Sequence, residues 1–203
     1  MSYTIAQVRT AVLSLLDDVS SARYTSAQID TAVRSALIDY SQYRPLVQTY
    51  IFETDGNQRM SLPADFSALS ISRIELWDAD PAQGDEIKFK AWKEDEQWII
   101  ETDEVLTAHN VLSITYNAPH TVDGLDSAAG TSVDDSPLLA VGAAGYAARS
   151  RAVSRSESIN LQPQVMAQLL KMSDTFLTNF PAQLRTFAPA HSAQAMQWPN
   201  VRF

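Results

Sequence analysis

Cysteine is absent from the 203-residue chain. That excludes disulfides, thiolate nucleophiles and Cys-based zinc sites, and it fits a reducing compartment. Glycine is scarce, at six residues. None falls in a Gly-x-Ser-x-Gly elbow, a P-loop or a dinucleotide fingerprint. Gly142-Ala-Ala-Gly145 is no phosphate loop, because no strand leads into it. No apolar run approaches bilayer-spanning length, and MSYTIAQVRT holds no apolar core of signal-peptide size. The expectation is a soluble protein made in the cytoplasm, without a membrane partner. Positive charge is also short: 15 Lys and Arg stand against 24 Asp and Glu, a formal net charge of -9. Gripping duplex DNA requires clustered cations, so DNA is not expected as a specific ligand.

What is present begins with helices. Thr4 and Gln7 have capping-box spacing, and Ile5, Val8, Val12, Leu15 and Leu16 share one face. Residues 17–24 break the pattern. A second box at Thr25 and Gln28 opens a helix carrying Ile29, Val33, Ala36, Leu37 and Tyr40, which Pro45 stops near Tyr43. The period then shifts to two. Strands are predicted at 47–54, 59–62, 71–77, 87–92, 97–101 and 111–116. Asp55-Gly56-Asn57 is a hairpin signal that should fold 59–62 back on 47–54. Glu94-Asp95-Glu96 should form an acidic hairpin turn. Residues 118–135 are small, polar and acidic and look like a linker or loop.

Helices return at 136–153 and 163–180. Asp135 or Ser136 is the cap with Pro137 near the first position, and residues 156–160 form a corner. The second of these helices carries Val165, Met166, Leu169, Leu170, Met172, Phe176 and Leu177 as its apolar stripe. Gly142, Ala143, Ala144, Gly145, Ala147 and Ala148 would let the first approach a neighbour closely. Pro181 and Pro189 should end the helical region. One helical hairpin buries little, so the two pairs are expected to form a bundle. The fold class is α+β. A bundle of about four helices is built from 1–45 and 136–180, with an inserted antiparallel β-sandwich or barrel at 46–117. A linker follows at 118–135, and an extended C-terminal arm at 181–203.

Residues for chemistry are few. His109, His120 and His191 stand in a turn, the linker and the tail, without a ligand spaced for a helical metal site. Glu94, Asp95 and Glu96 lack the alternation and central glycine of a calcium loop. Asp134-Asp135 suits a helix N-terminus. No nucleophile, base and oxyanion site assemble, so neither catalysis nor a cofactor is expected. Arg149, Arg151 and Arg155 make a small basic patch, which suits a helix C-terminus or an acidic partner surface. Trp77, Trp92 and Trp98 lie in or beside predicted strands. They fit core packing, or a ligand platform if exposed.

Two stretches carry a resemblance. One is the opening hairpin, YTSAQIDTAVRSALIDYSQYRP. The other is Met60-Ser-Leu-Pro-Ala-Asp-Phe66 followed by the strand ISRIELW. In this order the chain resembles the head–tail connector adaptor proteins of tailed bacteriophages, over nearly its whole length. The corner also has a physical reading. Pro63 ends a strand without wasting a ladder donor, Asp65 is placed for an Asx-turn, and Leu62 and Phe66 can both enter the core.

The resemblance implies a non-enzymatic virion protein of the neck. It implies a ring, commonly of about twelve copies, under the portal and above the tail or a stopper protein, with neighbouring copies of the chain on either side. DNA would pass through the ring without specific binding, and an acidic channel would repel phosphate. The alternative is a small non-catalytic ligand- or protein-binding module using the β-region as platform.

The last stretch, TFAPAHSAQAMQWPNVRF, contains no acid. Pro189 and Pro199 keep it from a helix. Phe187, Met196, Trp198 and Phe203 are its candidate anchors on the portal or a neighbouring subunit. Arg202 would meet a carboxylate.

Overall fold

A computed structural model describes residues 4–77, 85–125, 133, 136–156 and 163–187. The chain divides into two compact units, one made of residues 1–44 and 120–203 and the other of 45–119. Together they hold five helices and two antiparallel sheets among the described residues, a mixed α+β architecture.

The helical unit begins with α1 (Ile5–Leu15) and α2 (Ser26–Tyr43). Both open on the expected capping boxes, Thr4 with Gln7 and Thr25 with Gln28. Each box satisfies two N–H groups that a helix start leaves unpaired. Their connection is not a passive break. Asp18 is only 3% exposed, and its carboxylate accepts the backbone N–H of Ala22 (3.1 Å), Arg23 (2.9 Å) and Tyr24 (2.9 Å). Asp17 and Ser21 take left-handed backbone angles, φ 51° and 54°, to make the turn around it. Arg9 on α1 grips Asp30 on α2 through two hydrogen bonds of 2.7 and 2.8 Å. The guanidinium holds the Asp30 carboxyl below the usual carboxylate range.

The region expected as a linker contains a last strand residue, Ala118, and α3 (Val122–Leu125), and it buries His120, Leu125 and Val133. Leu125 and Val133 join the helical core, which local composition did not reveal. Helix α4 (Ser136–Ser156) then packs against α1, α2 and α5 (Pro163–Phe187). A Cβ on Gly142 would lie 2.7 Å from the Phe180 ring, and one on Gly145 would lie 2.9 Å from Leu177. The small residues therefore serve close packing of α4 on α5.

Two boundaries differ from expectation. Helix α4 continues three residues past 153 to Ser156. Helix α5 does not end at Phe180. It runs through Pro181 to Phe187, so 181–187 is helix and not the start of an extended arm. Proline removes one helical N–H and costs about 3 kcal/mol in a helix interior. Here Phe180 and Leu184, on either side of it, are both fully buried. Burying such side chains is worth about 1.5–3 kcal/mol each, which outweighs the local penalty. Residues 157–160, expected as a corner, lie outside the described residues, as do 188–203.

The strand unit holds β1 (Leu46–Glu53), β2 (Arg59–Ser61), β3 (Ser70–Trp77), β4 (Asp85–Glu86), β5 (Phe89–Glu94), β6 (Gln97–Thr102) and β7 (Val111–Ala118). One sheet has the order β1-β7-β3-β4 and the other β2-β6-β5. Both contribute to one apolar core, with Met60, Trp98 and Ile100 from one sheet and Ile74, Leu112 and Ile114 from the other. The sheets do not close into a barrel among the described residues. The two-residue strand β4, not among the predicted strands, pairs with β3.

The Asp55-Gly56-Asn57 hairpin does not form. β1 pairs with β7 and β2 with β6. The turn itself is real: Gly56 has φ +87°, and Asp55 accepts the Asn57 N–H at 3.0 Å. Contacts distant in sequence redirect it. The Thr54 N–H donates to Asn110 O (2.8 Å), Thr54 Oγ1 donates to Thr107 O (2.7 Å), and the His109 N–H returns to Thr54 O (2.9 Å). The turn is thereby tied to the β6–β7 loop, and β2 delivers Met60 to the second sheet. The acidic turn does form. β5 and β6 meet at Asp95-Glu96, both with positive φ (47° and 66°), the backbone of a tight two-residue hairpin.

Candidate functional site

The corner Leu62–Phe66 is built into the strand core. The Leu62 N–H donates to Trp98 O (2.8 Å), and Leu62 O accepts from Gln97 Nε2 (2.6 Å). The Phe66 N–H closes a turn onto Pro63 O (3.0 Å). Leu62 is fully buried and Phe66 nearly so. The Phe66 ring lies 4.6 Å from Tyr116 and 5.3 Å from Tyr50, centroid to centroid. The Trp98 indole N–H reaches Ala68 O at 3.3 Å. Every one of these contacts is internal to the strand unit. Asp65 departs from expectation: it is exposed, and its carboxylate makes no hydrogen bond among the described residues. The backbone bond from Phe66 to Pro63 closes the turn in place of the expected Asx-turn.

The expected arginine patch separates. Arg149 and Arg151 stand two residues apart on α4, so they point to different sides of the helix. Arg149 borders a groove of about 520 Å³ shared with Gln28, Thr31 and Ser35 of α2 and Tyr146 of α4. Arg151 turns to the α1–α2 connection, with its guanidinium 4.9 Å from the Tyr24 ring centroid and a hydrogen bond to the Arg23 carbonyl. Cation–π contact of this kind fixes the arginine within its own chain. The Arg155 side chain lies outside the described residues. The proposed arm anchors Met196, Trp198, Arg202 and Phe203 lie there too. Phe187 is placed as the last residue of α5, its side chain undescribed.

The described histidines are structural or on the surface. His120 is 8% exposed. Its backbone N–H donates to Ser41 Oγ (2.8 Å), which itself donates to Leu37 O (2.6 Å). Its Nε2 lies 2.8 Å from the Arg44 carbonyl. A carbonyl only accepts, so Nε2 carries the proton. His109, with φ 70°, places Nδ1 2.6 Å from Glu53 on the surface. No group of three or more His, Asp or Glu side chains gathers for a metal among the described residues. No helix there is long and apolar enough to cross a membrane. Trp98 is core, and half-buried Trp92 has the Arg59 guanidinium 5.5 Å from its ring. The Trp77 side chain is undescribed.

Two features carried no local signal. Tyr146 donates its hydroxyl to Asp39. Burial pushes its pKa up, and the Asp39 hydrogen bond and charge reinforce that, to about 12. Tyr146 is neutral when protonated. Its contribution to stability is therefore complete below the ordinary tyrosine value near 10, and is lost as pH rises from there through about 12. Tyrosinate absorbance during an alkaline titration should show Tyr146 ionising late. Asp39→Asn should bring it part of the way back, because burial remains. A titration unchanged by that substitution would remove Asp39 as a cause.

The second feature is the first half of α5. Val165 is 44% exposed and Leu170 40%, and on α4 Val153 is 58% exposed. No residue of the expected stripe is fully buried: Met172 and Phe176 are half-buried against the helical core, and the residues that α5 buries are Ser173, Phe180 and Leu184. The chain matches no protein-family model, and no curated protein matches it significantly.

Proposed function

We propose that the chain is a structural, non-catalytic adaptor of a phage neck. In this reading it forms a ring under the portal and links the DNA-filled head to the tail or a stopper. The four long helices act as the bundle, and the segment after α5 is an arm toward the portal or a neighbouring copy. The observation carrying the reading is the chain's organisation: helical pair, Leu62–Phe66 corner and strand unit, then a small-residue helix packed on a long last helix. That is the order on which the resemblance rests. The formal charge of -9 suits a channel that lets DNA slide without adhering.

The test is mass in solution, alone and mixed with the cognate portal. The chain alone should be monomeric or weakly associated, and should appear as a closed ring on the portal. No association with the portal at micromolar concentrations would sink the assignment. Removing residues 187–203 should weaken ring joining at least about tenfold, as loss of a few aromatic anchors does. Full-strength joining by the truncated chain would remove the arm from the mechanism.

A further inference from the structure

Among the described residues four strands lie at sheet edges: β1 and β4 in one sheet, β2 and β5 in the other. An open edge offers unpaired N–H and C=O groups to any other strand, and folded chains blunt it with short strands, lysines or prolines. β4 has two residues, both acids; β2 has three; β5 carries Lys90 and Lys93. β1 has none of these devices. It runs for eight residues, LVQTYIFE, and its one charge is Glu53 at the end. The Thr54 N–H bonds Asn110 O, and pairing alternates along an antiparallel ladder. Leu46, Gln48, Tyr50 and Phe52 therefore bond to β7. Val47, Thr49, Ile51 and Glu53 direct their N–H and C=O groups the other way, where no hydrogen bond from a described residue meets them. On the same residues, Val47 is 66% exposed and Ile51 45%.

We propose that β1 is a strand-pairing site for β1 of a second copy, antiparallel and centred on Thr49. The edge is complementary to itself in that register. Thr49 faces the Thr49 of the second copy, and Val47 faces its Ile51, so the exposed apolar side chains become cross-strand neighbours. Three facing pairs exchange about six hydrogen bonds, two for each pair. Slipping by one step sets Val47 against Glu53 in one direction and Ile51 against Pro45 in the other. Charge favours the same arrangement. Arg44 stands before the strand, and Glu53 and Asp55 stand at and beyond its end. Antiparallel pairing brings these opposite charges together, where parallel pairing would join like with like. Pro45 has no N–H to donate and ends the ladder opposite Glu53. The contact is one strand edge, about 27 Å long at about 3.4 Å per residue. That is less surface than the about 800 Å² per partner of a lasting complex, so the pair is weak and concentration-dependent. A two-fold contact closes on itself and builds no ring, so the inference stands or falls apart from the ring assignment.

Sedimentation equilibrium tests it, with the full chain shifting from monomer to dimer between micromolar and millimolar concentrations. Thr49→Pro should weaken the dimer at least about tenfold and leave the far-UV circular dichroism unchanged, because the N–H it removes has no acceptor within the chain. The chain has no cysteine, so single substitutions read the register directly. Thr49→Cys should link to itself under mild oxidation, since facing Cα atoms stand about 5.5 Å apart, within disulfide reach. Val47→Cys and Ile51→Cys, when mixed, should link to each other at least about tenfold faster than either links to itself. A mass that does not change with concentration overturns the proposal. So does a dimer that Thr49→Pro leaves intact, or one in which Thr49→Cys links to itself no faster than Val47→Cys does. Association that disappears in a chain ending at Phe187 also overturns it, and assigns the edge to residues 188–203 of another copy.

Discussion

Replacing Phe180 with alanine should lower the unfolding free energy by about 3–5 kcal/mol, the largest loss expected from one side chain of the helical unit. Phe180 is fully buried, and its ring lies against the backbone of α4 where Gly142 leaves room for it. The ring and the glycine are therefore one device. Gly142→Ala alone would place a methyl 2.7 Å from the ring and should cost about 1–3 kcal/mol by overpacking. In the Phe180→Ala background that methyl meets a cavity. There the higher helix propensity of alanine, worth about 1 kcal/mol, should make the same change stabilising. A double-mutant cycle by urea denaturation reads the reversal as a coupling of about 0.5–3 kcal/mol. If Gly142→Ala has the same sign in both backgrounds, the α4–α5 contact is not as described.

Asp18→Ala should cost about 3 kcal/mol, the second largest expected loss. Its carboxylate accepts three backbone N–H groups at 2.9–3.1 Å while 3% exposed. Removing it strands those donors, and each buried orphan costs about 1–3 kcal/mol. Some will find water, which keeps the sum below the simple total. Asp18→Asn keeps one accepting oxygen and should fall between alanine and the native residue. The measurement is denaturant midpoint at constant m-value. A loss under about 0.5 kcal/mol for alanine would show that the α1–α2 connection holds itself without the carboxylate. The effect should reach α4 as well, because the turn that Asp18 organises presents the Tyr24 ring to Arg151.

These two residues mark opposite kinds of legibility. Gly142 and its small neighbours announced a close approach in the sequence, but the element that approaches is known only from the packing of α5. Asp18 announced nothing. It sits in a stretch where the apolar period merely lapses, and its role depends on the chain curling back over it. The arginines show a third kind. Arg149 and Arg151 are close in sequence, and helical geometry alone separates them, yet the partner that holds Arg151 comes from the α1–α2 connection.

What the sequence determined by itself was local. Capping boxes at Thr4 and Thr25 start α1 and α2 where expected, because a cap satisfies N–H groups within its own first turn. Asp95-Glu96 closes the β5–β6 hairpin, because the strands it joins are adjacent in the chain. Leu62 and Phe66 enter the core from either side of Pro63 for the same reason. The tertiary structure decided everything that depends on a distant partner. It redirected the Asp55-Gly56-Asn57 turn to the second sheet through Thr54, Thr107 and Asn110. It carried α5 through Pro181 by burying Phe180 and Leu184, and it left Val165 and Leu170 in the open. Local bonds are set by neighbours a few residues away. Burial is a competition among surfaces from the whole unit, and in this chain it outweighed both a turn signal and a proline.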